Sequence, residues 1–127
     1  MARYTQRGQT TLEFTIVGAA FVAVIFAVVS YGIDVHAQSI VQAAARMGAH
    51  AAARSTPAAG RDAANSYLSQ VAPTLVENPR VTAGASATVL TVDVDGTART
   101  PIAGWRMHVH GHAVEPLERF TADSGVP

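Results

Sequence analysis

The sequence predicts an α+β protein: a long N-terminal transmembrane helix that continues outside the membrane, a second helix, and a small antiparallel sheet forming a head. Three observations carry that expectation. Phe14 to Ile33 is a run of twenty residues without a single charge, and about twenty apolar residues in a helix span the ~30 Å hydrocarbon core of a bilayer. No proline interrupts the chain from Gln9 to Thr56. Further on, Ala87–Val94 (ATVLTVDV) and Trp105–Val114 (WRMHVHGHAV) alternate in the period-two manner of strands.

Composition narrows the classes of function. The 127 residues include nine basic side chains, all Arg, nine acidic ones and no Cys, for a net charge of zero. Only 14% are charged, against about 25% in an ordinary soluble domain. Without Cys there is no disulfide framework, thiolate metal site or thiol nucleophile. No basic cluster exists to neutralise phosphates, so nucleic acid is not an expected partner. No Ser or Cys nucleophile motif, phosphate-cradling Gly loop or paired carboxylates in a recognisable context appears. The chain does not read as an enzyme, and neither a cofactor nor a small-molecule substrate is expected.

The first helix is expected from about Gln9 to Arg54, because Ala-rich composition favours helix throughout. At ~1.5 Å per residue it would be nearly 70 Å long, its first half crossing the membrane between residues 14 and 33. Arg3 and Arg7 precede the apolar run and Asp34 and His36 follow it, so the N-terminus is expected in the cytoplasm and the rest outside. Within the span Ala19, Ala23 and Ala27 recur every four residues. Such small-residue stripes allow close helix–helix contact in lipid, although the abundance of Ala accounts for the stripe equally well. Outside, Ile40, Val41, Ala44, Met47, Gly48 and Ala51 form an apolar face, with Gln42, Arg46, His50 and Arg54 off it. The head is the economical cover for this face, and Gly48 implies close approach.

Ser55-Thr56-Pro57 is a helix start: a hydroxyl cap followed by proline at the first helical position. The second helix is expected from Pro57 to about Val71, with Tyr67, Leu68 and Val71 inward. Pro73 and Pro79 bracket an expected irregular connection. Asp95-Gly96 reads as a turn, which Asp93 and Asp95 would serve. The head therefore covers residues 55–120, two to four strands packed on the outer helix, and 121–127 is an expected disordered tail.

The strand at Trp105–Val114 places His108, His110 and His112 on one face, with Arg106, while Trp105, Met107 and Val109 face the core. Neighbouring imidazoles can chelate zinc. The outer pair stands some 13 Å apart at the backbone, however, from a rise of ~3.3 Å per residue, and no carboxylate or Cys has a complementary spacing. A polar solvent face is the preferred reading, and no metal site is assigned.

Glu13 directly abuts the apolar run at Phe14. A carboxylate there is either part of a helix start capped by Thr10 or Thr11 or is kept for a partner. The surrounding Arg7-Gly8-Gln9-Thr10-Thr11-Leu12-Glu13-Phe14 resembles the cleavage motif of type IV prepilins, most closely the Flp/Tad type: Gly, four variable residues, Glu, an aromatic. The resemblance continues to Ala45-Arg46-Met47-Gly48-Ala49-His50-Ala51-Ala52-Ala53, similar to the A-x-R-x-G-A-R-x-A-A region that closes the homology block of the TadE-like family. His50 stands where a second Arg is usual, and Gly18 replaces a helix proline often seen in the family. The similarity covers residues 7 to 53.

The resemblance implies a minor pilin, or pseudopilin, of the tight-adherence (Tad, Flp) pilus assembly or secretion system. Residues 1–8 would be a leader, removed by a prepilin peptidase between Gly8 and Gln9, and Glu13 would pair with the new terminal amine of a neighbouring subunit. Partners would be the membrane, the peptidase, other Tad pilins and minor pilins, and inner-membrane platform proteins; a surface pilus is a possible destination. Two alternatives stand beside it. One is an uncleaved single-pass anchor presenting a small binding domain. The other is a secreted domain cut after Ala37, at Val35-His36-Ala37, for which the apolar run is too long and Asp34 is badly placed.

Overall fold

A computed structural model describes residues 3–102 and 104–117, with side chains described from Gly8 onward. The expected tail 121–127 and the side chains of Arg3 and Arg7 lie outside the described residues. Five elements follow in chain order: α1 (Arg3–Arg54), α2 (Pro57–Val71), β1 (Val76–Ala85), β2 (Val89–Arg99) and β3 (Arg106–Pro116). The three strands form one antiparallel sheet in the order β1-β2-β3. Helices α1 and α2 pack on one face of it, which is the expected α+β architecture.

Helix α1 is unbroken, and it starts earlier than Gln9 because the described chain is already helical at Arg3. Gly8 does not stop it; a single glycine costs about 1 kcal/mol relative to Ala, too little to end a 52-residue helix. The α1–α2 connection uses the expected chemistry. Thr56 is extended, its hydroxyl accepts a hydrogen bond from the Ala59 amide at 3.2 Å, and Pro57 occupies the first turn.

The core is made mostly of small residues on the helices and mostly of β-branched ones on the sheet. Ala37, Ile40, Val41, Ala44, Ala45, Ala49 and Ala52 of α1, with Ala64 and Leu68 of α2, close over Leu90, Val92, Val94 and Val109. Because these helix side chains are short, backbones meet. A methyl group added at Gly48 would lie 2.9 Å from the Gly60 carbonyl oxygen and 3.2 Å from Val92 Cγ1, and one at Gly60 would lie 2.5 Å from Ala52 Cβ. Strand β3 touches α1 just as closely: a Cβ at Gly111 would sit 2.7 Å from the Val41 carbonyl carbon and 3.0 Å from the Gln42 nitrogen. The close approach expected at Gly48 is thus met by both α2 and the sheet.

Several sequence expectations need correction. The Pro73–Pro79 stretch is a short turn at 73–75 followed by strand β1, whose register shifts between Glu77 and Arg80. Asn78 takes a left-handed φ of 49° there, so Asn78-Pro79 forms a bulge that keeps proline out of the ladder. Asp95-Gly96 is no turn but the middle of β2, and Gly96 is small because Val76 Cγ1 would lie 2.5 Å from a Cβ at that site. Met47 and Val71 are about half exposed, at 52% and 49%, and Trp105 at 51% points away from the core. Helix faces cover more than one hundred degrees, so residues at their margins, such as Met47, fall outside once the partner's width is fixed.

The Gly111 contact is with backbone, which cannot swing aside. Gly111→Ala is expected to cost about 1–3 kcal/mol by overpacking, lowering the Tm by at least about 5 °C for a domain of this size. Gly84→Ala on β1, where nothing lies within 4 Å of the added methyl, is expected to stay within about 0.5 kcal/mol. Thermal melts of the two variants beside the parent check the contrast.

Candidate functional site

Two surfaces carry the residues singled out by the sequence. The first is the N-terminal half of α1. Gly8, Gln9, Glu13 and Phe14 all lie exposed on one continuous helix, Phe14 at 79%. Gln9, Leu12, Glu13, Ile16 and Val17 line one shallow strip of its surface, placing the Glu13 carboxylate beside the residue expected to become the new N-terminus. Leu12, Phe21, Val24, Val28 and other large apolar side chains point outward around the helix. α1 is long and apolar enough to cross a membrane, and among the described residues none of its most apolar window is buried.

The head reaches down onto this segment. Ile102 and Trp105 form an open apolar groove with Ala23, Phe26 and Ala27, and Ser30 is the first buried position along the described part of α1. Two members of the alanine stripe, Ala23 and Ala27, thus line the groove beneath the β2–β3 connection, while Ala19 lies a turn below it; all three are exposed. Gly48 belongs to the α1–α2 crossing instead.

The second surface is the outer face of the sheet. The register sets Asp93 opposite His112, Asp95 opposite His110 and Thr97 opposite His108. His112 Nδ1 lies 2.6 Å from Asp93 Oδ1, and His110 Nδ1 lies 2.8 Å from Asp95 Oδ1. His108 Nε2 approaches the same Asp95 oxygen at 3.3 Å. The hydrogen bond from His110, aided by the charges of His110 and His108, holds the Asp95 carboxyl below its ordinary range against a smaller opposing effect of desolvation. Carboxylates therefore do stand at a complementary position, correcting the reading that none did. The missed signal was a pair of alternating runs, Asp-x-Asp and His-x-His, which meet only once the strand register is known.

Helix α1 organises this face from behind. The Gln38 side-chain amide donates to the His110 carbonyl and its oxygen accepts from the His110 amide at 3.2 Å. Gln42 repeats the pattern at His112, donating at 2.7 Å and accepting at 3.2 Å. Four helix residues rise ~6 Å and two strand residues ~6.6 Å, so an i, i+4 pair fits an i, i+2 pair. The clamps satisfy the free edge of β3. They also imply that His110 and His112 sit at non-hydrogen-bonded cross-strand positions, where side chains approach most closely. His50, off the apolar face of α1 as expected, lies 3.6 Å from Glu115 on the α1-facing side.

Together these features define a class of protein: one N-terminal apolar helix, as fits a single-pass membrane protein, built into a small α+β head. Within it, residues 8–50 match the family model described as TadE-like protein, so the segment resembling that family is a TadE-like segment. It points to a Tad pilus system. No curated protein and no solved structure matches the chain.

The glutamine clamps yield a direct test. Gln38→Ala or Gln42→Ala is expected to cost about 1 kcal/mol, the net worth of the lost hydrogen bonds, and to speed amide hydrogen exchange at His110 or His112 respectively. Amide-resolved NMR exchange reads each site separately; unchanged rates would remove the clamps from the account.

Proposed function

We propose that this chain is a minor pilin, or pseudopilin, of a Tad/Flp type IV pilus assembly or secretion system. The observation that carries the reading is that the TadE-like match begins at Gly8 and runs into the bare apolar half of α1. A prepilin peptidase would cut between Gly8 and Gln9. Glycine suits that step because it lets the helix open locally at little cost and leaves room for a narrow protease groove. The protein would sit in the membrane by residues 14–33, with its N-terminus cytoplasmic before processing and its head extracytoplasmic.

Glu13 would then find its partner in the new terminal amine of a neighbouring subunit. Two charges stranded in an apolar bundle each carry a desolvation cost, and pairing offsets it. Phe14 and the stripe at Ala19 would pack against adjacent pilin helices, with Ala23 and Ala27 shared with the head's own groove. Ala27 lies about 9 Å along the helix from Ile33. Trp105, which shares a groove with Ala23, Phe26 and Ala27, would therefore dip into the outer leaflet of the bilayer. Other Tad pilins, minor pilins and inner-membrane platform proteins are the partners in this reading, and no catalytic role is assigned.

The N-terminal residue of the mature protein from membrane or pilus fractions separates the possibilities. Gln9, with or without N-methylation, is expected; Met1 or Ala2 would indicate an uncleaved anchor, and Gln38 a secreted domain. Gly8→Trp is expected to abolish processing, and Glu13→Val to leave processing intact while reducing filament assembly at least tenfold. Normal processing of the first and normal assembly of the second would overturn the roles given to these residues.

A further inference from the structure

We propose that Asp93, His110 and His112 form a site for a divalent metal ion of the zinc type on the outer face of the sheet, with Asp95 positioning His110. The inference is independent of the pilin reading. One donor atom from each of the three residues can be chosen so that all lie within 4.8 Å of one another. Asp93 Oδ1 lies 2.6 Å from His112 Nδ1 and 3.7 Å from His110 Nε2. Ligands around tetrahedral zinc, at metal–nitrogen and metal–oxygen distances of ~2.0–2.1 Å, stand about 3.3 Å apart. The two measured separations bracket that value, so small side-chain rotations bring Asp93 to ligand spacing with each imidazole.

Asp95 is what distinguishes this cluster from a row of solvated histidines. With His110 in its neutral form, Asp95 holds the Nδ1 hydrogen and so leaves the Nε2 lone pair facing Asp93. A carboxylate on the far nitrogen of a ligating imidazole is the usual outer-shell partner of a metal-bound histidine. The backbone beneath is held as well, since Gln38 and Gln42 clamp the peptides of His110 and His112. Two imidazoles and one carboxylate suit zinc and its first-row neighbours rather than calcium or magnesium.

Ion entry is straightforward. The three side chains are 33%, 48% and 51% exposed, and a fourth position faces solvent. The proton on His112 Nδ1 moves to Nε2 as the metal takes its place, so the imidazole stays neutral. The neighbouring strand puts Arg80 opposite Asp95 and Thr82 opposite Asp93, so no further acid crowds the site from β1. His108 stands outside the triad: its nearest partner is Asp95 and its cross-strand neighbour is Thr97.

The test uses tag-free full-length protein in detergent micelles, titrated with zinc chloride at neutral pH by calorimetry, with cobalt absorption reporting coordination. One ion per chain at micromolar or tighter affinity is expected, with tetrahedral cobalt bands. His110→Gln and His112→Gln should each weaken binding at least tenfold, and Asp95→Asn by about 10–100-fold, the range for losing an outer-shell partner. His108→Gln should change it less than twofold. Circular dichroism verifies that each variant is folded. Absence of saturable one-to-one binding by the parent overturns the site. So does binding that survives the His110→Gln, His112→Gln double variant or that follows His36 or His50.

Discussion

The structure depends on one packing constraint: the stretch of α1 from Ala44 to Ala52 presents almost no side-chain bulk to its neighbours. Ala44, Ala45 and Ala49 are fully buried, and Gly48 lets the α2 backbone come to contact distance. Larger residues there would hold α2 and the sheet several ångströms away and open the core. Because protein interiors are close-packed, such a gap forfeits most of the contact energy on both sides. The larger apolar side chains come mainly from the sheet, through Leu90, Val92, Val94 and Val109, joined by Ile40 and Val41 of α1 and Leu68 of α2. The head is thus built around a helix it does not own outright.

From this contact the positions of both surfaces follow. Bringing β3 against the Val41 backbone puts its free edge beside Gln38 and Gln42, which satisfy it as an additional strand would. That orientation turns the alternate residues of β3 outward, and the antiparallel register delivers His110 and His112 to Asp95 and Asp93. The same contact sets how far the β2–β3 connection descends along α1, and so where the bare apolar part of the helix begins. A helix hydrophobic all round cannot stay uncovered in water; lipid or neighbouring helices are the natural surroundings of Leu12 to Val22.

Much of this was legible in the residues, and the failures have physical causes. The unbroken run of α1 to Arg54 followed from absent proline and abundant Ala, and the start of α2 from Thr56-Pro57. The apolar window and its Gly8–Phe14 edge were legible because membrane and motif signals are contiguous in sequence. What sequence obscured was long-range. Asp95-Gly96 carries a turn's composition, yet its glycine answers to Val76, twenty residues away on the neighbouring strand β1. Asn78-Pro79 looked like a loop because a bulge uses loop residues. Whether Asp93 and Asp95 serve a turn or face three histidines is decided by register alone, which no local pattern contains.

The most direct test of the central claim is whether the head can fold without the outer half of α1. Two fragments, residues 34–117 and residues 55–117, would be followed by thermal unfolding in circular dichroism. The account expects the longer one to be soluble and to melt cooperatively, because it keeps the small-residue face that α2 and the sheet require. The shorter one should show no cooperative transition. A cooperative melt of residues 55–117 would contradict the account, since α2 and the sheet would then possess a core of their own.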